Sequence, residues 1–280
     1  MPPSTTDYLS FITSIPNYSP ISVLTFFLLG LMRMAPIVVI APFLGSKLPN
    51  AAKMGILISI TIIFLPHIIS TSQHPLSFNI EFAGYAIKEL MIGVILALLA
   101  SIPFYIAESA GVLIDFLRGS SALMVTDPFM QAQVSPIGLL YNYVLIVLFF
   151  QIDGPFIFFD AVLNSYTLIP ADGIIQQAFF SLTQPFWKSI MGILTQVTAI
   201  AIQLSAPSLL AILMAEMFLG IANRLAPQVQ IAFLGMSIKS LLGIALLWAA
   251  WFFILQQMGK QSLLWLTEVQ KFLQSMKMSG

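Results

Sequence analysis

Cysteine is absent from this chain of 280 residues, which excludes disulfides, thiol chemistry and zinc–thiolate centres. Charge is nearly as scarce: Asp, Glu, Lys and Arg make up 8% of the residues, against about 25% in a typical soluble domain. So little charge cannot cover a water-facing surface. The 11 cations cancel the 11 anions, and no basic run occurs, so nucleic acid is not an expected partner. Histidine is limited to His67 and His74, placed across Pro66 and Pro75 in an expected loop, with Glu81 the nearest carboxylate. That is a poor set of metal ligands. No Ser–His or Ser–Lys constellation recurs at matched depth, and no glycine-rich phosphate loop is present. These absences predict no catalytic residue, no cofactor and no metal, and hence a protein that is not an enzyme. The first 20 residues, "MPPSTTDYLSFITSIPNYSP", hold no Lys or Arg and are interrupted by proline. They lack the basic and apolar regions of a cleavable signal peptide.

What the chain has in abundance is apolar surface: 59% of residues are hydrophobic and the mean hydropathy is +0.96. The expected class is an all-α integral membrane protein forming a single membrane domain over 1–280. A hydrocarbon core of about 30 Å takes roughly 20 helical residues. On that measure about six long apolar segments emerge, near 21–45, 54–69, 83–105, 137–159, 186–221 and 229–258. The second is expected to end at Pro66. The fifth is too long for one crossing, and Pro207, lacking a backbone donor, is expected to kink or split it. The longest connections are about 106–136 and 153–185. Lysine and arginine favour the cytoplasmic side, and Lys47, Lys53, Arg118 and Arg224 then put the N-terminus outside. Six simple crossings would place the tail outside as well, although it carries Lys260, Lys271 and Lys277. The topology therefore needs either a hairpin at Pro207 or segments that do not cross normally. In the tail, about 260–278, Leu263, Leu266, Val269, Leu273 and Met276 share one helical stripe opposite Glu268 and Lys271. This pattern predicts an interfacial or partner-docking helix.

Ionisable groups inside apolar helices are costly and mark candidate functional positions. They are Arg33 in "LGLMRMAPIVV", Lys88 and Glu89 at the opening of the third segment, Glu216 in "LLAILMAEMFLG" and Lys239 in "LGMSIKSLLG". Buried ion pairs that fix packing and a conduction role are both open for Arg33, Glu216 and Lys239. Ser101, Glu108, Asp115 and Arg118 recur at offsets of 7, 7 and 3, which puts them on one side of a helix beside Gly111. That polar seam suits a water-lined or subunit-facing surface, or a local pair at the membrane surface. It leads into "FLRGSSALMVTDPFMQAQVSP", 116–136, which is too polar for hydrocarbon and too apolar for a solvent loop.

Four ordered blocks carry a family resemblance. "GIANRLAPQVQIAFLGMSIKSLLG" (220–243) closely resembles the late segment of the FliR/SctT family, the export-gate subunits of bacterial type III secretion. Its core is Asn223, Arg224, Pro227 and Gln228, followed by Lys239. "LMRMAPIVVIAPFLGSKLPNAAKMG" (31–55) resembles the family's early segment, with Arg33, and "DGPFIFFDAVLNSYTLIPADG" (153–173) the segment after the fourth span. The fourth block is 116–136, with Arg118-Gly119, Asp127-Pro128 and Ser135-Pro136. One departure is visible, because Gly154-Pro155 stands where many relatives have Gly-His.

The resemblance implies a subunit of a closed, helical hetero-oligomeric gate in the bacterial inner membrane, at the base of a secretion machine. Its implied partners are several copies of two smaller membrane proteins (FliP/SctR-like and FliQ/SctS-like), further export-apparatus proteins, membrane lipid and unfolded secreted proteins in transit. It implies family-motif packing roles for Arg33, Asn223, Arg224, Pro227, Gln228 and Lys239. It also implies that 116–136 is a pore plug, with Gly119, Leu123, Met124, Val125, Asp127, Pro128, Phe129 and Met130 as its residues. The side chains suit that role: Leu123, Met124, Val125, Phe129 and Met130 can fill a narrow bore, and methionine makes an adaptable seal. Glu108, Asp115 and Arg118 would anchor the stem. Arg118-Gly119 and "NSYTLIP" favour the injectisome branch over the flagellar one. The alternative is a secondary transporter of ions or small solutes that uses intramembrane carboxylates. A third reading is a scaffold without a pore.

Overall fold

The structure, a computed structural model, describes residues 19–45, 48–72, 74–76, 78–119, 125–126, 133–173, 185–225 and 231–278. Eight α-helices carry the described chain: α1 Pro20–Ile40, α2 Asn50–Thr71, α3 Ile80–Leu117, α4 Pro136–Gln151, α5 Gly154–Leu168, α6 Pro185–Leu225, α7 Ile231–Ala249 and α8 Trp251–Met278. A single 3-10 turn, Pro42–Leu44, follows α1. Two short strands, β1 Val125–Thr126 and β2 Gln133–Val134, pair antiparallel with Val125 opposite Val134. The protein is all-α apart from that ladder. Four helical stretches, α1, α2, α3 and Val197–Leu225 of α6, are long and apolar enough to cross a membrane. The number rises to six if α4 with α5, and Ser237–Ala249 with Trp251–Trp265, each count as one broken span.

Local chemistry sets the ends. Ser19 caps α1 by accepting from the Ser22 N–H, with Pro20 at the first helical position, where its missing donor costs nothing. Ser135 and Pro136 start α4 in the same way, Ser135 accepting from Gly138 N–H. Asp153, at φ 56°, separates α4 from α5. Hydroxyls within the helices donate back to the carbonyl four residues earlier, as Thr25, Thr61, Ser101, Ser205 and Ser262 do. That satisfies each hydroxyl without water.

Three expectations are corrected. Helix α2 does not end at Pro66 but runs to Thr71, so His67 is helical and not in a loop. Buried Ile68 and Ile69 continue its packed face, and Ser70, Thr71 and Ser72 donate to the carbonyls of His67 and Ile68, sealing the last turn. Helix α3 does not stop near 105 but continues to Leu117 with Pro103 inside it. Ile106, Ala107, Ala110 and Ile114 are buried and carry the packed face onward. Lys88 and Glu89 consequently sit well inside the helix. Pro207 does not split α6, which is continuous over Pro185–Leu225. Ser205 donates to the Ala201 and Ile202 carbonyls just before the proline, and Leu204, Ser205, Ser208 and Ile212 stay buried across it. The tail 260–278 is the later part of α8, and its stripe beyond Leu263 lies outside the described side chains.

The chain divides into two compact units, Met1–Ser101 with Pro155–Lys188 and Glu268–Gly280, and Ile102–Gly154 with Ser189–Thr267. In the first, Phe26, Leu29, Met34, Ile37 and Ile68 are buried, and Phe43 meets Phe158 edge-on at 5.5 Å. In the second, Phe104 meets Phe149 edge-on at 5.4 Å beside buried Leu145. Glycine permits the closest backbone approaches: a Cβ at Gly93 would overlap the Arg33 carbonyl, and one at Gly111 would overlap the backbone of Ile137 and Gly138.

Candidate functional site

Each unit builds its own buried polar cluster. In the first unit, Arg33 of α1 is fully buried and grips Glu89 of α3 with two bonds, Nε to Oε2 at 2.5 Å and Nη2 to Oε1 at 2.8 Å. This forked geometry is the strong form of the Arg–carboxylate pair. Nη1 donates to Ser165 Oγ at 2.9 Å and Nη2 to the Ile169 carbonyl at 2.9 Å. The guanidinium also lies 3.8 Å from the centre of the buried Tyr166 ring. Lys88 approaches Glu89 at 2.9 Å and donates to the carbonyls of Pro170, Ala171 and Gly173 at 2.8, 2.9 and 2.9 Å. Two cations thus share the Glu89 carboxylate. Four carbonyls just past the C-terminus of α5, the negative end of its dipole, accept from them as well. The cluster binds the segment after α5 to α1 and α3.

In the second unit, the polar seam of α3 meets the start of α4. Asp115 accepts from Ser135 Oγ and, through the same oxygen, from the Ile137 N–H at 2.9 Å. Arg118 pairs with the other Asp115 oxygen at 2.6 Å. About two turns further along each helix, Asn142 donates to Glu108 at 3.0 Å. The 20-residue separation of Asp115 and Ser135 is thus closed at its base by one carboxylate. Gly119, at φ 80°, turns the chain out of α3, a conformation that favours glycine. Between these ends the described pairing is that of β1 with β2. Leu123, Met124, Asp127, Pro128, Phe129 and Met130 lie outside the described residues, and of Val125 the backbone alone is described.

A third pair, Lys239 of α7 with Glu216 of α6, closes at 2.5 Å with side chains 24% and 40% exposed. Asn223 and Arg224 are exposed at the end of α6, where the cation complements the helix dipole. Pro227 and Gln228 lie outside the described residues. The structure therefore brings together Arg33 with Glu89 and Lys88, Asp115 with Arg118, and Glu216 with Lys239. Glu108 joins α4 through Asn142, and Ser101 sits apart, donating to the carbonyl of Ala97.

Sequence reasoning did not single out Ser165, Tyr166, Ser135 as a partner of Asp115, or Asn142. The Ser-Pro step before an apolar run signals a helix cap at Ser135, and an asparagine within an apolar run signals a polar partner. Ser165 and Tyr166 carry no comparable signal. His67 is turned to the Leu163 carbonyl at 3.1 Å. Among the described residues no group of three or more His, Asp or Glu is placed to hold a metal ion.

The family model described as "Bacterial export proteins, family 1" matches residues 24–263. The chain is 34% identical over 162 residues to the Yop proteins translocation protein T of Yersinia pestis, covering 57% of this chain and 60% of that one. The chain thus covers less than two thirds of that relative's length. It is 29% identical over 220 residues to the surface presentation of antigens protein SpaR of Salmonella typhimurium, covering 78% and 79% of the two chains. With the flagellar biosynthetic protein FliR of Bacillus subtilis it shares 27% over 217 residues, covering 76% and 81%.

Proposed function

Because the chain belongs to the bacterial export proteins, family 1, we propose that it is a structural and gating subunit of a type III secretion export apparatus. In this reading it forms, with other export-apparatus proteins, the closed pore through which unfolded proteins leave the cell, and it performs no catalysis of its own. The family and the long apolar helices make it an integral protein of the bacterial inner membrane, at the base of the secretion machine. Its partners are two smaller membrane proteins of the FliP/SctR and FliQ/SctS kinds. The higher identity to the Yersinia translocation protein, 34% against 27% for the flagellar relative, supports the injectisome branch.

The observation that carries the gating role is the closure at Asp115. A carboxylate at the end of α3 receives both the Ser135 hydroxyl and the Ile137 N–H at the start of α4. The ends of 116–136 are held together, which gives that segment a fixed base. A fixed base suits a plug, because the helices that carry the segment stay packed. A secondary transporter would instead need carboxylates presented to a solute, and Asp115 is engaged with Arg118, Ser135 and Ile137.

Deleting residues 120–134 tests the role. Membranes containing the whole assembly should show a raised basal conductance to ions. Unchanged conductance, with the assembly intact by mass, would remove the plug assignment. Loss of saturable solute uptake would favour a transporter.

A further inference from the structure

Lys88 is surrounded by more acceptors than it has protons to give. Its Nζ lies 2.9 Å from Glu89 Oε1 and 2.8, 2.9 and 2.9 Å from the carbonyl oxygens of Pro170, Ala171 and Gly173. A lysine ammonium carries three N–H donors, so these four oxygens cannot each receive their own. Arg33, beside it, makes the ordinary match, with one acceptor for each donor it uses. The Tyr85 ring adds a further side at 5.5 Å from Nζ, within the reach of a cation–π contact. Convergent carbonyls, a carboxylate and an aromatic face are the surroundings of a coordinated cation. The distances set its size. Oxygens at 2.8–2.9 Å stand too far out for magnesium or calcium, which bind oxygen at about 2.0–2.1 and 2.3–2.6 Å. They suit a monovalent ion the size of ammonium or potassium, whose hydration shell backbone carbonyls can replace. The cage also lies near the surface, because Lys88 is 7% exposed and Pro170 and Gly173 are part-exposed. Within the same turn Asp172 accepts from the His74 N–H at 2.9 Å, tying the cage to the segment before α3.

We infer that Glu89 and the carbonyls of Pro170, Ala171 and Gly173 form a monovalent-cation site, which the chain fills with the tethered ammonium of its own Lys88. The cation, and not the lysine stem, fastens the segment after α5 to α3. It does so through main-chain oxygens 82 to 85 residues away, whichever side chains that segment carries. Shortening Lys88 therefore opens the site to free ammonium, which has one N–H for each of the four oxygens, or to potassium. This goes beyond the gate reading and stands without it.

The test uses Lys88→Ala in the full-length chain, purified in detergent with ammonium chloride present. Its thermal unfolding midpoint is followed as choline chloride, whose cation is too large for the cage, replaces ammonium, potassium or sodium chloride at constant ionic strength. The midpoint should rise by about 4 °C for each tenfold increase in free ammonium above its Kd. Potassium should act next best and sodium more weakly. Lys88→Ser, whose hydroxyl can serve one oxygen of the cage, should respond in the same order. The wild-type chain, with its site filled, should not distinguish the salts. Neither should Lys88→Met, whose long uncharged side chain stays in the space. Midpoints of Lys88→Ala and Lys88→Ser that ignore the choice of salt would overturn the inference, since water or repacking would then fill the cage. An equal ammonium response in the wild type would overturn it as a general salt effect. Failure of both shortened variants to fold in all three salts would overturn it too, because a free cation would then not replace the tethered one.

Discussion

At the scale of single residues, the charged positions differ in what they are asked to do. Glu89 holds two buried cations, Arg33 and Lys88, and removing it leaves both unpaired. Breaking a buried pair in this way costs about 3–5 kcal/mol. Glu89→Ala should therefore lower the detergent-solubilised unfolding midpoint sharply. Glu81→Ala, at an exposed position of the same helix, should stay within about 0.5 kcal/mol. Equal midpoints for the two variants would mean that the carbonyls of 169–173 alone neutralise the cations. The sequence marked Arg33, Lys88 and Glu89 as costly but could not pair them. Arg33 lies 56 residues from Glu89 and 132 from Ser165, and helical spacing carries no information across such separations. The Asp115–Arg118 pair was legible, because an offset of three lies within one helix face.

At the scale of elements, the sequence was read well where polarity changes and poorly where proline sits inside an apolar run. Pro66, Pro103 and Pro207 all lie within continuous helices. A missing N–H is a local cost, whereas the buried face on both sides is a longer-range gain that local reading underweights. Glycines make the complementary point. At Gly111 a Cβ would overlap the Gly138 and Ile137 backbone, whereas at Gly84 of the same helix it would meet nothing within 4 Å. Gly111→Val should force α3 away from α4, costing about 1–3 kcal/mol or more as overpacking does. Gly84→Ala should stabilise by up to about 1 kcal/mol through helix propensity. The two midpoints should move in opposite directions in the same detergent. A neutral Gly111→Val would show that the α3–α4 crossing is not held by that contact.

At the scale of the whole molecule, the family was legible because four blocks in order are specific, while the topology was not. Counting one crossing per apolar run fails when two runs are interrupted, at Asp153 and at Ala250. The second interruption bends Ser237–Ala249 against Trp251–Trp265 by 63°. Part of the motif chemistry, Asn223 and Arg224, is exposed. Arg224 is exposed at the end of α6, with no described side chain bonded to it, and we propose that it acts in the assembly and not in the subunit's own stability. Arg224→Ala should then leave the unfolding midpoint of the isolated chain within about 0.5 kcal/mol of wild type. The same variant should lower both the recovery of partner membrane proteins by native mass spectrometry and the amount of secreted protein. Full assembly with secretion lost would move Arg224 from holding partners to acting on protein in transit. A lowered midpoint in the isolated chain would place its contact back within this subunit.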